Sequence, residues 1–431
     1  MSKRATSYNS LGPAVLLGTS SSIFPLHLAR YWRSLGIAVA IVTHDLDQDA
    51  ITEDGIPIVS TRRFHSAIVR VLLKFYRVLH WGEMLLVRLY KPYYRRRTGR
   101  KEPDPWEPYF VENVLKSFAA AKAAKTLRPR FVFGHEAGCY GLPSAYCKDV
   151  PSFLFPWGAD VFLSAETSPV YFRLIRYALH NVDLVLPSSV TAAKHITARF
   201  GVASDKVIPV SWGADFSLFQ RASAQNRRHI LERFSIPSDA FVICNPRRFR
   251  PAWGCFAALD AFMALAEERA DLHFVMVGGA GTEAHVESAL LAIEQRGLLS
   301  RFTILQEDIP ITVFADLMSI ADVFVSLLGR GDMRSSSVLQ AAAAGAVPVI
   351  VDNPEYQEMT RCGFMARLIS SADPVKIADA VKSYLHDPDY LHATRETNYE
   401  YLQKNEDART QMAHMLDLIQ TVCLEYERGC A

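Results

Sequence analysis

Two doubly wound α/β domains facing each other across a cleft are what this sequence predicts, and three observations carry the prediction. A chain of 431 residues has the length of two or three domains at roughly 100–200 residues each. Its opening residues read as strand, helix, strand, and from residue 241 onward a second series of apolar runs and helical periodicities alternates in the same way. Such alternation builds parallel sheets with helices on both faces.

The first strand is the apolar run 14–18, followed by the turn GTSSS at 18–22, a helix over 23–35 that Gly36 ends, and a strand over 37–43. Further strands are expected at 131–133, 152–155, 184–186 and 207–210, with helices at 112–126 and 190–200 among them. In the second series, strands at 241–244, 273–277, 302–305, 323–326 and 347–351 alternate with helices at 257–268, 285–296, 311–320 and 336–344. The join falls within 213–240, where ASAQNRRH and IPSDA are polar and the apolar periodicity pauses. Residues 374–427 read as mostly helical, with a break at DPDY (387–390) that lets the last helix cross back. The expected division is a first domain over 1–213, a second over 214–395, and a helix over 396–431 returning to the first. Ligands of such a pair belong at the C-terminal ends of the strands, in the cleft.

Half the residues are hydrophobic and 21% are charged, a globular composition. Seven cysteines include no Cys-x-x-Cys pair, and only His135 and Cys139 are spaced even loosely like metal ligands, so no metal site is expected. An odd cysteine count in so large a chain fits a reducing, cytoplasmic compartment. The apolar run at 14–17 is far shorter than a signal-peptide core, and the uncharged stretch 11–29 holds Gly, Pro and His, so it fails as a membrane span.

Charge is distributed unevenly. Residues 62–101 hold twelve Lys/Arg against one acid, a balance of +11 that leaves −9 for the rest of a chain whose total is +2. Apolar and aromatic residues interleave with these bases, giving an amphipathic stretch that is helical by periodicity as far as Pro92. It suits the anionic inner face of a membrane, to which the protein would bind peripherally. A solvated helix face with a basic loop is the other reading. Nucleic acid is not expected as a partner, because no reader motif accompanies the charge. Neither a Ser-His-Asp motif, a Walker loop, a Gly-x-Gly-x-x-Gly fingerprint nor a His-Glu-x-x-His site is present.

The second half carries RRFRPAWG (247–254), HFVMVGGAG (273–281), ADVFVS (321–326) and GDMRSSSVLQAAAAGAVPVIVDNPEYQE (331–358). This order resembles the nucleotide-sugar-binding domain of the GT4-like retaining glycosyltransferases of the GT-B fold. Weaker matches in the first half are GHEAG (134–138), PWGAD (156–160) and VIPVSWGADFSLF (207–219). The resemblance implies transfer of a sugar from a nucleoside diphosphate, UDP- or GDP-linked, to a hydroxyl of a glycan or glycolipid, with anomeric configuration retained and no bound cofactor or metal required.

The family pattern of two acids separated by seven residues falls on Asp332 and Gln340, so the resemblance makes Asp332 the sugar contact and replaces the second acid with a neutral amide. Arg248 takes the place of a phosphate-binding Arg, while the Lys five residues on is Trp253, leaving Arg247 or Arg250 to supply the second cation. Gly278 and Gly279 allow backbone to approach the donor closely. Ser335, Ser336 and Ser337 open a helix whose free N–H groups face the diphosphate, and Glu358 completes the donor set. On the acceptor side stand Gly18 and Thr19 of the first turn, His135 and Glu136, Trp157 where relatives often carry His, and Asp160. For most of these a structural role competes: a helix cap for Asp332 and Asp160, a surface salt bridge for Arg248, a backbone-bonded His135. Trp253 and Gln340 also keep open a catalytically weak relative that binds glycan, membrane or a partner enzyme, and a hydrolysing epimerase is a third reading.

Overall fold

The computed structural model describes Tyr8 and residues 11–18, 23–64, 107–329 and 334–430. Thr19, Asp332 and residues 65–101 of the basic stretch lie outside the described residues. The chain divides into two units, residues 1–210 with 412–431, and residues 211–411.

The first unit is built on a seven-stranded sheet in the order β3-β4-β2-β1-β5-β6-β7. Its strands are β1 (Ala14–Leu17), β2 (Val39–Thr43), β3 (Ala50–Ile51), β4 (Pro57–Ser60), β5 (Phe131–His135), β6 (Ser152–Phe155) and β7 (Leu184–Val185). All pairings are parallel except β3 with β4. Central β1 sets Ala14 against Val39 on one side and Phe131 on the other, and every one of its residues is buried, as expected where helices cover both faces. The expected strand at 207–210 is not one. Val207 bridges Val185 and two further N–H groups reach this edge, but Pro209 has no N–H with which to extend the sheet beyond it.

In the second unit a six-stranded parallel sheet runs β10-β9-β8-β11-β12-β13, with β8 (Phe241–Asn245), β9 (Leu272–Val277), β10 (Phe302–Leu305), β11 (Val323–Ser326), β12 (Val347–Val351) and β13 (Arg367–Ile369). Phe249, Phe262 and Phe274 are buried in the core that packs around helix Cys255–Glu268, while Phe324, Leu339 and Tyr356 are buried in a second core around helix Ser336–Ala343. The polar region read as a join contains a helix, Ala224–Arg233, of which only Ile230 and Leu231 are buried. Two buried side chains are too few to mark a periodicity.

The DPDY break does not carry the chain back to the first unit. Asp387 caps a new helix, Pro388–Asn405, by accepting the Tyr390 N–H, and that helix stays in the second unit with Leu391, Thr394 and Leu402 buried. The return comes one break later. There Ala214 N–H donates to the Glu406 carbonyl and Ala408 N–H to the Ala214 carbonyl, pairing both passages of the chain as neighbouring extended segments. The last helix, Ala408–Cys430, then buries Met415, Leu416, Ile419 and Cys423. In the first unit it ties Asp417 to Tyr8, Glu427 to Arg130 and Tyr426 to the Lys148 carbonyl. Among the described residues no helix is long and apolar enough to cross a membrane.

Each unit buries a neutral histidine. Burial holds His135, at the end of β5, down to about 3, and His273, in β9 with Nε2 2.9 Å from Thr303 Oγ1, down to about 4. A depressed folded-state pKa means that the unfolded chain binds more protons between that value and its own pKa of ~6.5. Stability is therefore complete above pH ~6.5 and falls on acidification. At pH 5 each histidine is expected to contribute about 2 kcal/mol less than at pH 7, and urea titration of His273→Gln should show a flatter profile over that interval. An identical slope in the variant would remove His273 from the acid sensitivity.

Candidate active site

In both sheets the strand order reverses at the centre, between β1 and β5 and between β8 and β11. Loops leaving the C-terminal ends of parallel strands on either side of such a switch point diverge and leave a crevice. Of the sequence-selected residues, Arg247 and Arg248 follow β8, and Gly18, His135 and Glu136 stand at the ends of β1 and β5.

In the second unit Arg247 follows β8, and its Nη2 donates to Ser335 Oγ at 2.7 Å, joining the loop after β8 to the loop after β11. Ser335 Oγ lies 2.9 Å from Ser337 Oγ. Ser335 stands at the N-cap of helix Ser336–Ala343 with extended backbone, yet its side chain makes no cap bond; the hydroxyl is committed to Arg247, so the first N–H groups of the helix are not satisfied by it. Arg248 pairs with Asp308 at 2.9 Å, Nη2 to Oδ1, both side chains being nearly half exposed. This ion pair passes over Gly279, where a Cβ would stand 2.7 Å from Asp308 Oδ1 and 3.0 Å from Arg248 Cγ. At Gly278 a Cβ would stand 2.7 Å from the Gln306 carbonyl. Arg250 lies with its guanidinium carbon 5.1 Å from the Trp253 ring centroid, a cation–π contact. Trp253, in place of a cation, thus holds one.

Gln340 is half-buried on the same helix, one turn beyond Ser336. Glu358 belongs to another grouping: on helix Pro354–Arg361, it accepts from Arg334 Nη2 at 3.1 Å. Arg334 also pairs with Glu406. Burial pushes the Glu406 carboxyl up, and Arg334 pulls it back. Neither Asp308 nor Arg334 stood out in the sequence.

At the switch point of the first unit, Gly18 follows β1, and a Cβ there would lie 3.5 Å from His135 Cβ. The Trp157 indole N–H donates to His135 Nδ1 at 2.5 Å. Glu136, with a positive φ of 91°, accepts the Gly138 N–H at 2.7 Å, the Cys139 N–H at 2.6 Å and the Tyr171 hydroxyl at 2.8 Å. Asp160 accepts the Ala137 and Trp157 N–H groups on Oδ2 at 2.7 and 2.8 Å and the Val161 N–H on Oδ1 at 2.8 Å. Burial raises both carboxyls, Asp160 further through the nearby Glu136 charge, while these N–H donors oppose the shift. His135, Glu136, Trp157 and Asp160 are thus one connected group, with the two carboxylates bonded to the loops that carry the rings.

Residues 226–401 match the family Glycosyl transferases group 1. The chain is 24% identical over 374 residues to a protein described as a teichuronic acid biosynthesis glycosyltransferase, TuaC of Bacillus subtilis (strain 168), covering 85% of this chain and 90% of that one. It is also 24% identical over 218 residues to D-inositol 3-phosphate glycosyltransferase 1 of Catenulispora acidiphila, covering 49% and 51% of the two chains. In fold it is similar to sucrose-phosphate synthase from Thermosynechococcus elongatus, with a TM-score of 0.70 at 13% identity over 95% of this chain and 98% of that one. Anabaena HepE in complex with UDP gives 0.67 at 12% identity, over 95% and 100%.

Proposed function

We propose that the chain is a glycosyltransferase of group 1 that moves a sugar from a nucleoside diphosphate to a hydroxyl of a glycan or glycolipid with anomeric configuration retained, a reading supported by the family match over residues 226–401 and by the GT-B fold. The observation that carries the donor half is the link Arg247–Ser335–Ser337 at the β8/β11 switch point, with Arg248 and Arg250 on the same loop. Guanidinium groups beside a helix N-terminus form an anion site, and negative charge grows on the diphosphate as the sugar departs. Donors already in place when that charge develops stabilise the transition state more than the ground state. Asp332 would position the sugar. The UDP bound by HepE supports a uridine donor, and the teichuronic acid biosynthesis ascribed to TuaC supports a polysaccharide acceptor. His135 and its neighbours, at the switch point of the first sheet, would meet that acceptor.

Calorimetric titration of UDP, GDP and CDP, with their sugar nucleotides, tests this. One base should be selected. Arg248→Ala should weaken its binding by about 10–100-fold, the loss of one charge-assisted hydrogen bond, and Asp332→Ala should spare nucleotide binding while abolishing turnover. Silence across the whole panel in a folded sample would reject the donor assignment and favour a non-catalytic binding role, consistent with Gln340 replacing an acid.

A further inference from the structure

The contact between Trp157 and His135 has a chemical consequence that rests on the acceptor-side reading and extends it. An indole N–H donates and cannot accept. Trp157 Nε1 lies 2.5 Å from His135 Nδ1, with the rings edge to face, centroids 5.1 Å apart and planes at 82°. His135 Nδ1 is therefore the acceptor and carries no proton, which in a neutral imidazole puts the proton on Nε2. We propose that Trp157 is a positioning residue that fixes the Nε2–H form of His135, so that any hydrogen bond from this ring towards the acceptor side is donated by Nε2 and the ring does not serve as the base.

Both rings are held for this. His135 is 1% exposed and stacks on Phe155 with centroids 5.7 Å apart and planes at 10°. One oxygen of Asp160 binds the backbone N–H of Trp157 and that of Ala137, fixing the loops after β6 and β5 to each other. Protonating Nδ1 would set its N–H against the indole N–H, so the contact and the burial that holds His135 near 3 act in the same direction. The proton leaving an acceptor hydroxyl must then pass to an oxygen of the departing nucleoside diphosphate, the base that the transfer itself supplies. Histidine at position 157, which can donate or accept, would leave this choice open; tryptophan closes it.

The test is a long-range 1H–15N spectrum of the imidazoles in the full chain, with His135 identified among the 13 histidines by its absence in His135→Asn. The expected pattern is an unprotonated Nδ1 and a protonated Nε2 at neutral pH, shifting towards a mixture in Trp157→Phe. A wild-type spectrum with Nδ1–H, or with both nitrogens protonated, would overturn the proposal, and it decides the matter even if Trp157→Phe does not fold. An unchanged tautomer in a folded Trp157→Phe overturns it as well. For turnover, Trp157→Phe should lower kcat by about tenfold with the donor KM unchanged, the effect of one neutral hydrogen bond. The double variant should be no slower than His135→Asn alone; losses that multiply would mean that Trp157 acts independently of His135. Were the wild-type tautomer as expected but no sugar transferred to any acceptor, the functional reading would fall while the positioning of His135 stood.

Discussion

Arg334→Met is expected to destabilise the second unit by about 3–5 kcal/mol at neutral pH, the usual effect of leaving one member of a buried ion pair behind. The side chain of Glu406 is 1% exposed and that of Arg334 is 11% exposed, so water cannot replace the lost guanidinium. Glu358, the other carboxylate on Arg334, would turn from a co-ligand of the cation into a like charge beside Glu406. The deficit should depend on pH with a definite sign. Without Arg334 the folded-state pKa of Glu406, already raised by burial, rises further above its unfolded value of ~4.3. A carboxyl raised in this way contributes stability below its unfolded pKa and loses it as pH rises through the folded one. The variant should therefore lie closest to wild type at pH 5 and furthest from it at pH 8. Urea midpoints at the two values measure this, and Glu406→Gln in the same background should recover much of the loss. A small deficit that does not change with pH would show that the pair is solvated.

Gly213→Ala should cost about 2–5 kcal/mol, adding a left-handed backbone penalty to steric overpacking. Its φ is +66°, and a Cβ would stand 2.5 Å from the Glu406 carbonyl oxygen, 2.7 Å from Ala408 N and 2.8 Å from Ala408 Cα. All three are backbone atoms of the return passage, so no side chain can turn aside to make room. Gly297 is the control: its φ is +67° but nothing lies within 4 Å, so alanine there should cost only the conformational part, about 1–2 kcal/mol. Equal losses at the two positions would mean that the return passage shifts freely.

Strands flanked by turn residues were legible in the sequence. Ser152–Phe155, Phe302–Leu305, Val323–Ser326 and Val347–Val351 have the predicted bounds, because a continuous apolar run ended by polar residues or glycine allows little else in a doubly covered sheet. Short edge strands were not legible: Ala50–Ile51 and Arg367–Ile369 are two and three residues long, and such lengths leave no period to read. For the candidate sites, the family resemblance singled out Arg247, Arg248, the serines and the His135 group, because their motifs are short and local in sequence. Their partners could not be found in that way. Asp308 meets Arg248 from the loop after β10, Tyr171 meets Glu136 from a helix 35 residues on, and Glu406 meets Arg334 across 72 residues. None of the three belongs to a motif; only the fold brings them in.

The second unit is continuous in sequence, while the first is closed by the final helix, whose Asp417 meets Tyr8 across 409 residues. On the ribosome the two units therefore mature in an order opposite to their start sites. Residues 211–411 are synthesised in full before the strip carrying Met415, Leu416 and Ile419, and until that strip emerges the nascent first unit exposes the apolar surface which it covers. A truncation before Ala408 would spare the second sheet entirely, yet leave the first without this covering layer and open to chaperones and proteases.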